Sequence, residues 1–123
     1  SFSYPASIRN DTIEMTIKSK LSKELHVECI HNYDPVYFDK NGFLCKTLKA
    51  TYEKVTGMDG TPVTTTGGTY AKIMPNIVPF GPSFPGQKGI GHNPNEWMDR
   101  SDLILNAKIY ALSIVRLANG END

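Results

Sequence analysis

From Gly81 to Pro94 the chain reads Gly-Pro-Ser-Phe-Pro-Gly-Gln-Lys-Gly-Ile-Gly-His-Asn-Pro, four glycines and three prolines in one stretch. Proline fixes φ and removes a backbone donor, and glycine weakens any regular element, so this segment is a loop and the rest of the chain is arranged before and after it. It is long for a mere connection, which favours a binding or site-forming role. Near its end stands one histidine, in the setting Gly91-His92-Asn93-Pro94-Asn95-Glu96. Two readings of His92 stand side by side. It is a hydrogen-bonding loop residue like most surface histidines, or it is a metal ligand whose imidazole the Glu96 carboxylate, four residues later, orients or balances.

The flanking sequence carries helical periodicity in three places. Ile13, Ile17, Leu21 and Leu25 repeat at i+4, with Asn10 or Asp11 as N-cap and Glu14 placed to complete a capping box, so a helix is expected over 11–25. Phe43, Leu44, Leu48, Tyr52 and Val55 predict a helix over 42–56, stopped at Thr56-Gly57. Leu103, Ala107, Tyr110, Ala111, Ile114 and Leu117 form a broad apolar stripe on a helix over 102–118, capped by Ser101 or Asp102 and stopped by Asn119-Gly120. Alternating or β-branched runs predict short strands near 1–7, 26–33, 62–66 and 76–81. Thr69 to Met74 makes a brief helix capped by Thr69 and ended by Pro75. The expected class is α/β. Gly67-Gly68 lets the backbone turn sharply and approach a ligand or another segment closely.

Charge excludes some partners. Thirteen Lys and Arg balance thirteen Asp and Glu without a long basic block, so nucleic acid and anionic membrane surfaces are poor partners. No apolar run approaches the roughly 20 residues of a membrane helix, and no signal-peptide core opens the chain. Cys29 and Cys45 lack CxxC spacing and read as reduced core thiols of a cytosolic protein. The chain begins Ser1-Phe2-Ser3-Tyr4-Pro5, without methionine and inside an expected strand, as a fragment would; the polar Asn119 to Asp123 reads as a frayed terminus. A catalytic zinc needs about three protein ligands. His26 and His31 fall on opposite faces of one expected strand, and Asp34, Asp39, Asp59, Asp99 and Asp102 occupy turn and cap settings, so the chain does not supply that set.

The order of Gly67-Gly68-Thr69-Tyr70, Val78-Pro79-Phe80-Gly81, Phe84-Pro85-Gly86, His92 with Asn95-Glu96, and Ile109-Tyr110-Ala111 resembles the C-terminal end of the M20 metallopeptidases, most closely their PepV-like dipeptidase branch. The resemblance covers nearly the whole chain and implies a fragment. Residues 1–36 look like the closing strand-helix-strand of a lid (dimerisation-like) domain, and 37–123 like the C-terminal part of a catalytic domain. It implies that His92 is one ligand of a two-zinc site, that Glu96 supports it, and that Gly67, Gly68 and Thr69 face a dipeptide substrate. The other ligands and the glutamate base would come from the N-terminal part of the same protein, so no catalytic residue lies in this chain and alone it should be inactive. The whole enzyme would be a cytoplasmic zinc dipeptidase using metal-activated water. One departure matters. Ser3 stands where the family usually carries an arginine that clamps the substrate carboxylate, and serine cannot supply that charged fork. Either Arg9 or another residue replaces it, or the parent protein has altered specificity or weak dipeptidase activity. Lys72, where close relatives often have arginine, keeps the charge. The alternative is a non-catalytic binding or assembly module on the same fold.

Overall fold

The computed structural model describes residues 3–65, 67–81, 83–87 and 90–120. Its elements are helix α1 (Asn10–Lys20), helix α2 (Phe43–Thr56), a 3-10 turn (Tyr70–Lys72) and helix α3 (Arg100–Asn119). Among the described residues there is no β-strand, so the expected α/β class is corrected to all-helical. A strand exists only within a ladder, and an extended segment without a partner has no hydrogen-bonding reason to persist as one. The segments expected as strands near 26–33, 62–66 and 76–81 find no such partner; Ile30 and Val63 are 80% and 90% exposed, so alternation there does not report a buried face. Residues 1, 2 and 66 of the expected strands lie outside the described residues.

The chain divides into two compact units, Ser1–Tyr37 with Thr65–Ile77, and Phe38–Thr64 with Val78–Asp123. In the first, no described residue is buried. α1 ends at Lys20 instead of reaching 25, because Leu21 is already extended at φ −95 and ψ 155. Leu25 then donates its N–H to Ser22 O at 3.0 Å in a turn and is 60% exposed, so a further helical turn would bury nothing. The expected capping box is absent. Arg9 is the N-cap, and Asp11 accepts from the Arg9 guanidinium at 2.7 Å and from the Thr12 N–H at 2.8 Å. Their mutual hydrogen bond, aided by their opposite charges, lowers the Asp11 carboxyl and raises the Arg9 guanidinium. Tyr4 Oη donates to Asn32 Oδ1 at 2.7 Å, and His31 stacks on Tyr33 with centroids 6.4 Å apart.

The second unit is built on the packing of α2 against α3. α2 runs as the periodicity predicts and stops at Gly57, which takes the left-handed conformation at φ 70 and donates to Glu53 O. α3 stops the same way at Gly120, φ 72, bonded to Arg116 O. The buried apolar residues are Cys45, Leu48, Phe84 and Ile109. The buried polar ones are Thr47, Thr51, Asn106, Ser113 and Arg116. The buried positions of α3 are Asn106, Ile109, Ser113 and Arg116, while of the expected apolar stripe Tyr110 and Leu117 are half-buried and Leu103, Ala107, Ala111 and Ile114 exposed. Arg116 Nη1 donates to Thr51 Oγ1 at 3.5 Å. Cys29 is exposed and Cys45 buried, both as free thiols, which corrects the expectation that Cys29 is a core residue. No helix among the described residues is long and apolar enough to cross a membrane.

Candidate functional site

The segment leading to His92 is fixed to the α2–α3 pair at several points. Gly81 adopts φ +70, which only glycine takes without cost, and a Cβ there would stand 2.2 Å from Tyr110 Oη. That hydroxyl donates to Phe80 O at 3.1 Å, while the Tyr110 ring meets Phe80 edge-on at 6.0 Å. Phe84 is buried and stacks on Tyr52 at 6.3 Å. Its N–H donates to Gln87 Oε1 at 3.0 Å, and the amide of Gln87 donates in turn to Asp102 in the first turn of α3. Asp102, expected as a cap, thus serves as an anchor for the loop.

Beyond this anchor the residues from 91 to 100 are all exposed. His92 and Asn95 both take left-handed conformations, φ 64 and 61. His and Asn tolerate that region better than most residues, yet holding it costs on the order of 1–3 kcal/mol and requires local support. Local hydrogen bonds supply that support. Glu96 Oε2 accepts the main-chain N–H of His92 at 3.1 Å, Glu96 N donates to Asn93 O at 3.2 Å, and Asn93 Nδ2 donates to Gly91 O at 3.1 Å. His92 and Glu96 are therefore brought together as the sequence suggested, by a different bond: the carboxylate fixes the backbone beneath the imidazole and leaves the ring facing solvent. Asn93 was missed, although an asparagine between glycine and proline turns is where a side chain caps local backbone.

The second group of expected site residues lies in the other unit. Thr69 Oγ1 accepts from Ala71 N at 3.2 Å and caps the 3-10 turn as predicted. Gly67 lies at a bend of the backbone. At Gly68 a Cβ would meet nothing within 4 Å, and what the residue leaves is clearance. Gly68 and Thr69, with Tyr33, Tyr70, Lys72 and Ile73, line an open recess of about 440 Å³. Tyr33 is more than thirty positions from Thr69 in sequence, a proximity that no local pattern signals. His26 and His31 are exposed, and among the described residues no three His, Cys, Asp or Glu side chains converge as a metal site would require.

Residues 5–116 match the profile of peptidase family M20/M25/M40. The chain belongs to this family. Among similar proteins, "Putative dipeptidase YtjP" of Bacillus subtilis strain 168 is 30% identical over 115 residues, 94% of this chain and 24% of its own length. The "Beta-Ala-Xaa dipeptidase" of Lactobacillus delbrueckii subsp. lactis is 34% identical over 118 residues, 96% of this chain and 25% of its own. A "Putative dipeptidase" of Staphylococcus epidermidis is 37% identical over 83 residues, 68% of this chain and 18% of its own. The chain thus spans about a quarter, or less, of the length of these relatives. No solved structure matches it.

Proposed function

We propose that these 123 residues are the C-terminal portion of a cytoplasmic zinc-dependent dipeptidase. The observation that carries this reading is the His92 imidazole, held outward on a left-handed backbone that Glu96 locks, in a chain of the M20 family. A neutral imidazole is a good zinc ligand, and a ligand must be presented by a backbone that does not have to be ordered at the moment of binding. One imidazole fits a contributed ligand and not a complete site, so the remaining ligands and the glutamate base belong to the N-terminal part of the same protein, and this chain alone is inactive. When bound, the two zinc ions supply an activated water and polarise the scissile carbonyl. His92 holds one metal position, Glu96 keeps the His92 backbone in place, and Gly67, Gly68 and Thr69 give a dipeptide room to approach. In this reading 1–36 is part of the lid domain and 37–123 part of the catalytic domain. The unit boundary after Tyr37 supports that division, while Thr65–Ile77 groups with the first unit. The two free thiols are in keeping with a reducing compartment.

Ser3 favours a second reading, a non-catalytic binding or assembly module, because no charged fork stands at that position. Metal content and dipeptide hydrolysis of the complete protein separate the two. Zinc-dependent hydrolysis supports the enzyme, and its absence from a folded, metal-loaded protein leaves the module. Within the enzyme, His92→Ala should empty or loosen one metal position with little effect on folding. Full metal and full activity in that variant would show the assignment of His92 to be wrong. Glu96→Ala removes the acceptor for the His92 N–H and should weaken metal binding roughly 10–100-fold. Glu96→Gln keeps a carbonyl oxygen in reach and should cost less.

A further inference from the structure

The open recess of the first unit is walled by two aromatic rings and one aliphatic side chain, Tyr33, Tyr70 and Ile73, and the charge among its described lining residues is the ammonium of Lys72. Its volume of about 440 Å³ lies toward the small end of ligand clefts and suits a molecule no larger than a dipeptide. His31 stacks on Tyr33 at an interplanar angle of 18° and steadies that ring. Lys72 is half-buried. Among the described residues no carboxylate pairs with it, the ion pairs being Arg9–Asp11, Lys18–Glu14 and Lys49–Glu53. A cation partly withdrawn from water without a counter-ion is a place where an anion binds at a gain. Arg9 is the contrasting case. Its Nε and Nη2 donate to the two carboxylate oxygens of Asp11 at 3.2 and 2.7 Å, so its fork is already occupied.

We propose that the recess holds the C-terminal residue of a dipeptide substrate, Lys72 taking its free carboxylate and Tyr33, Tyr70 and Ile73 its side chain, so that dipeptides ending in a large apolar or aromatic residue are preferred. The proposal rests on the reading of the chain as part of a dipeptidase. A C-terminal residue carries one negative charge beside one side chain, and the recess offers one positive charge beside apolar walls. A polyanion would call for several cations, which these walls do not supply. Lysine is a point charge without the fixed fork of arginine, so it selects for the presence of the carboxylate more than for its orientation. The rings pack against aromatic and aliphatic groups alike, whereas a charged side chain placed there would lose water without gaining a partner.

The test uses the complete zinc-loaded protein and measures kcat and KM for alanylphenylalanine, its C-terminal amide and alanylglycine. The unmutated protein should favour the free acid over the amide, and phenylalanine over glycine. Lys72→Met should raise KM for the free acid about 10–100-fold, the loss of one charged hydrogen bond, and bring acid and amide to parity. Lys72→Arg should keep the difference. Tyr33→Ala should cut the preference for phenylalanine about 10-fold and leave the acid-to-amide ratio as it was. Each ratio is taken on one protein sample, so partial unfolding of a variant lowers both rates alike and does not move it. Acid preference that survives in Lys72→Met overturns the assignment, and its loss in Arg9→Met instead gives the carboxylate to Arg9. Equal hydrolysis of all three substrates by the unmutated protein overturns the proposal and leaves the dipeptidase reading standing. No hydrolysis of any of them by protein with its full metal content overturns both.

Discussion

Gly81 and Tyr110 lock together in a way that a single methyl group disturbs. Gly81→Ala places a Cβ 2.2 Å from Tyr110 Oη on a backbone at φ +70, so the tyrosine must move and the residue is strained. A loss of roughly 1–3 kcal/mol is expected from the conformation alone. Tyr110→Phe removes the bond to Phe80 O, costing about 1 kcal/mol. Because Phe lacks the clashing oxygen, the double variant should be less damaged than the sum of the singles. Urea unfolding of the four proteins decides this, and strict additivity would mean that the two residues are not coupled. Asp59 offers a pH-dependent counterpart. Its carboxylate accepts the Thr61 N–H at 3.0 Å and the Thr61 hydroxyl at 2.7 Å, and these bonds hold it below the ordinary 3.8. A lowered carboxyl stabilises the fold above its unfolded value and loses that contribution as pH falls through the folded one. Carboxyl-carbon NMR should find Asp59 titrating below pH 3.8. Asp59→Asn should flatten the small acid dependence of stability there. The group is fully exposed, so added salt should shrink the effect.

At the scale of elements, α2 and α3 were legible because their signals are local: helical spacing within the segment, and glycines at 57 and 120 that take left-handed φ to close the ends. α1 was legible only over 10–20, since its last expected turn depended on packing that Leu25 does not find. The strands were misread for a related reason. Alternation in 26–33 states which residues would share a face if a ladder formed, and says nothing about whether a partner strand is present. The apolar stripe of α3 is only partly enclosed: Tyr110 and Leu117 are half-buried, Leu103 and Ile114 are exposed, and the buried side carries Asn106, Ile109, Ser113 and Arg116. Within that buried side Ser113 is 4% exposed and its hydroxyl finds no hydrogen-bond partner. A lone buried hydroxyl carries its desolvation cost uncompensated, so Ser113→Ala should leave stability unchanged or raise it by up to about 1 kcal/mol. A loss above that size in thermal unfolding would show that the hydroxyl is satisfied in solution.

For the whole molecule, the lesson is unequal visibility. His92 and Glu96 could be paired from sequence because they are four apart in one loop, and the structure joins them, through the backbone. Tyr33 beside Gly68 and Thr69 could not be paired, because that proximity depends on the path of the whole first unit. The family was readable because its motifs survive in order across residues 5–116. A metal site was not readable, and among the described residues no cluster of three ligating side chains forms. The isolated chain should therefore show no tight stoichiometric zinc site by calorimetry, a lone imidazole being a weak ligand. Sub-micromolar binding abolished by His26→Ala or His31→Ala would mean that the histidines had been assigned wrongly.

The two thiols have a practical consequence. Cys29 is open to solvent and Cys45 is enclosed within the α2–α3 pair. An alkylating reagent therefore meets one thiol at once and the other only when the helices part, and a single mass spectrum taken over time records both. The fast addition calibrates reagent and pH. The slow addition measures how often the helical pair opens, and at reagent levels where reclosing outruns capture it yields the free energy of that opening.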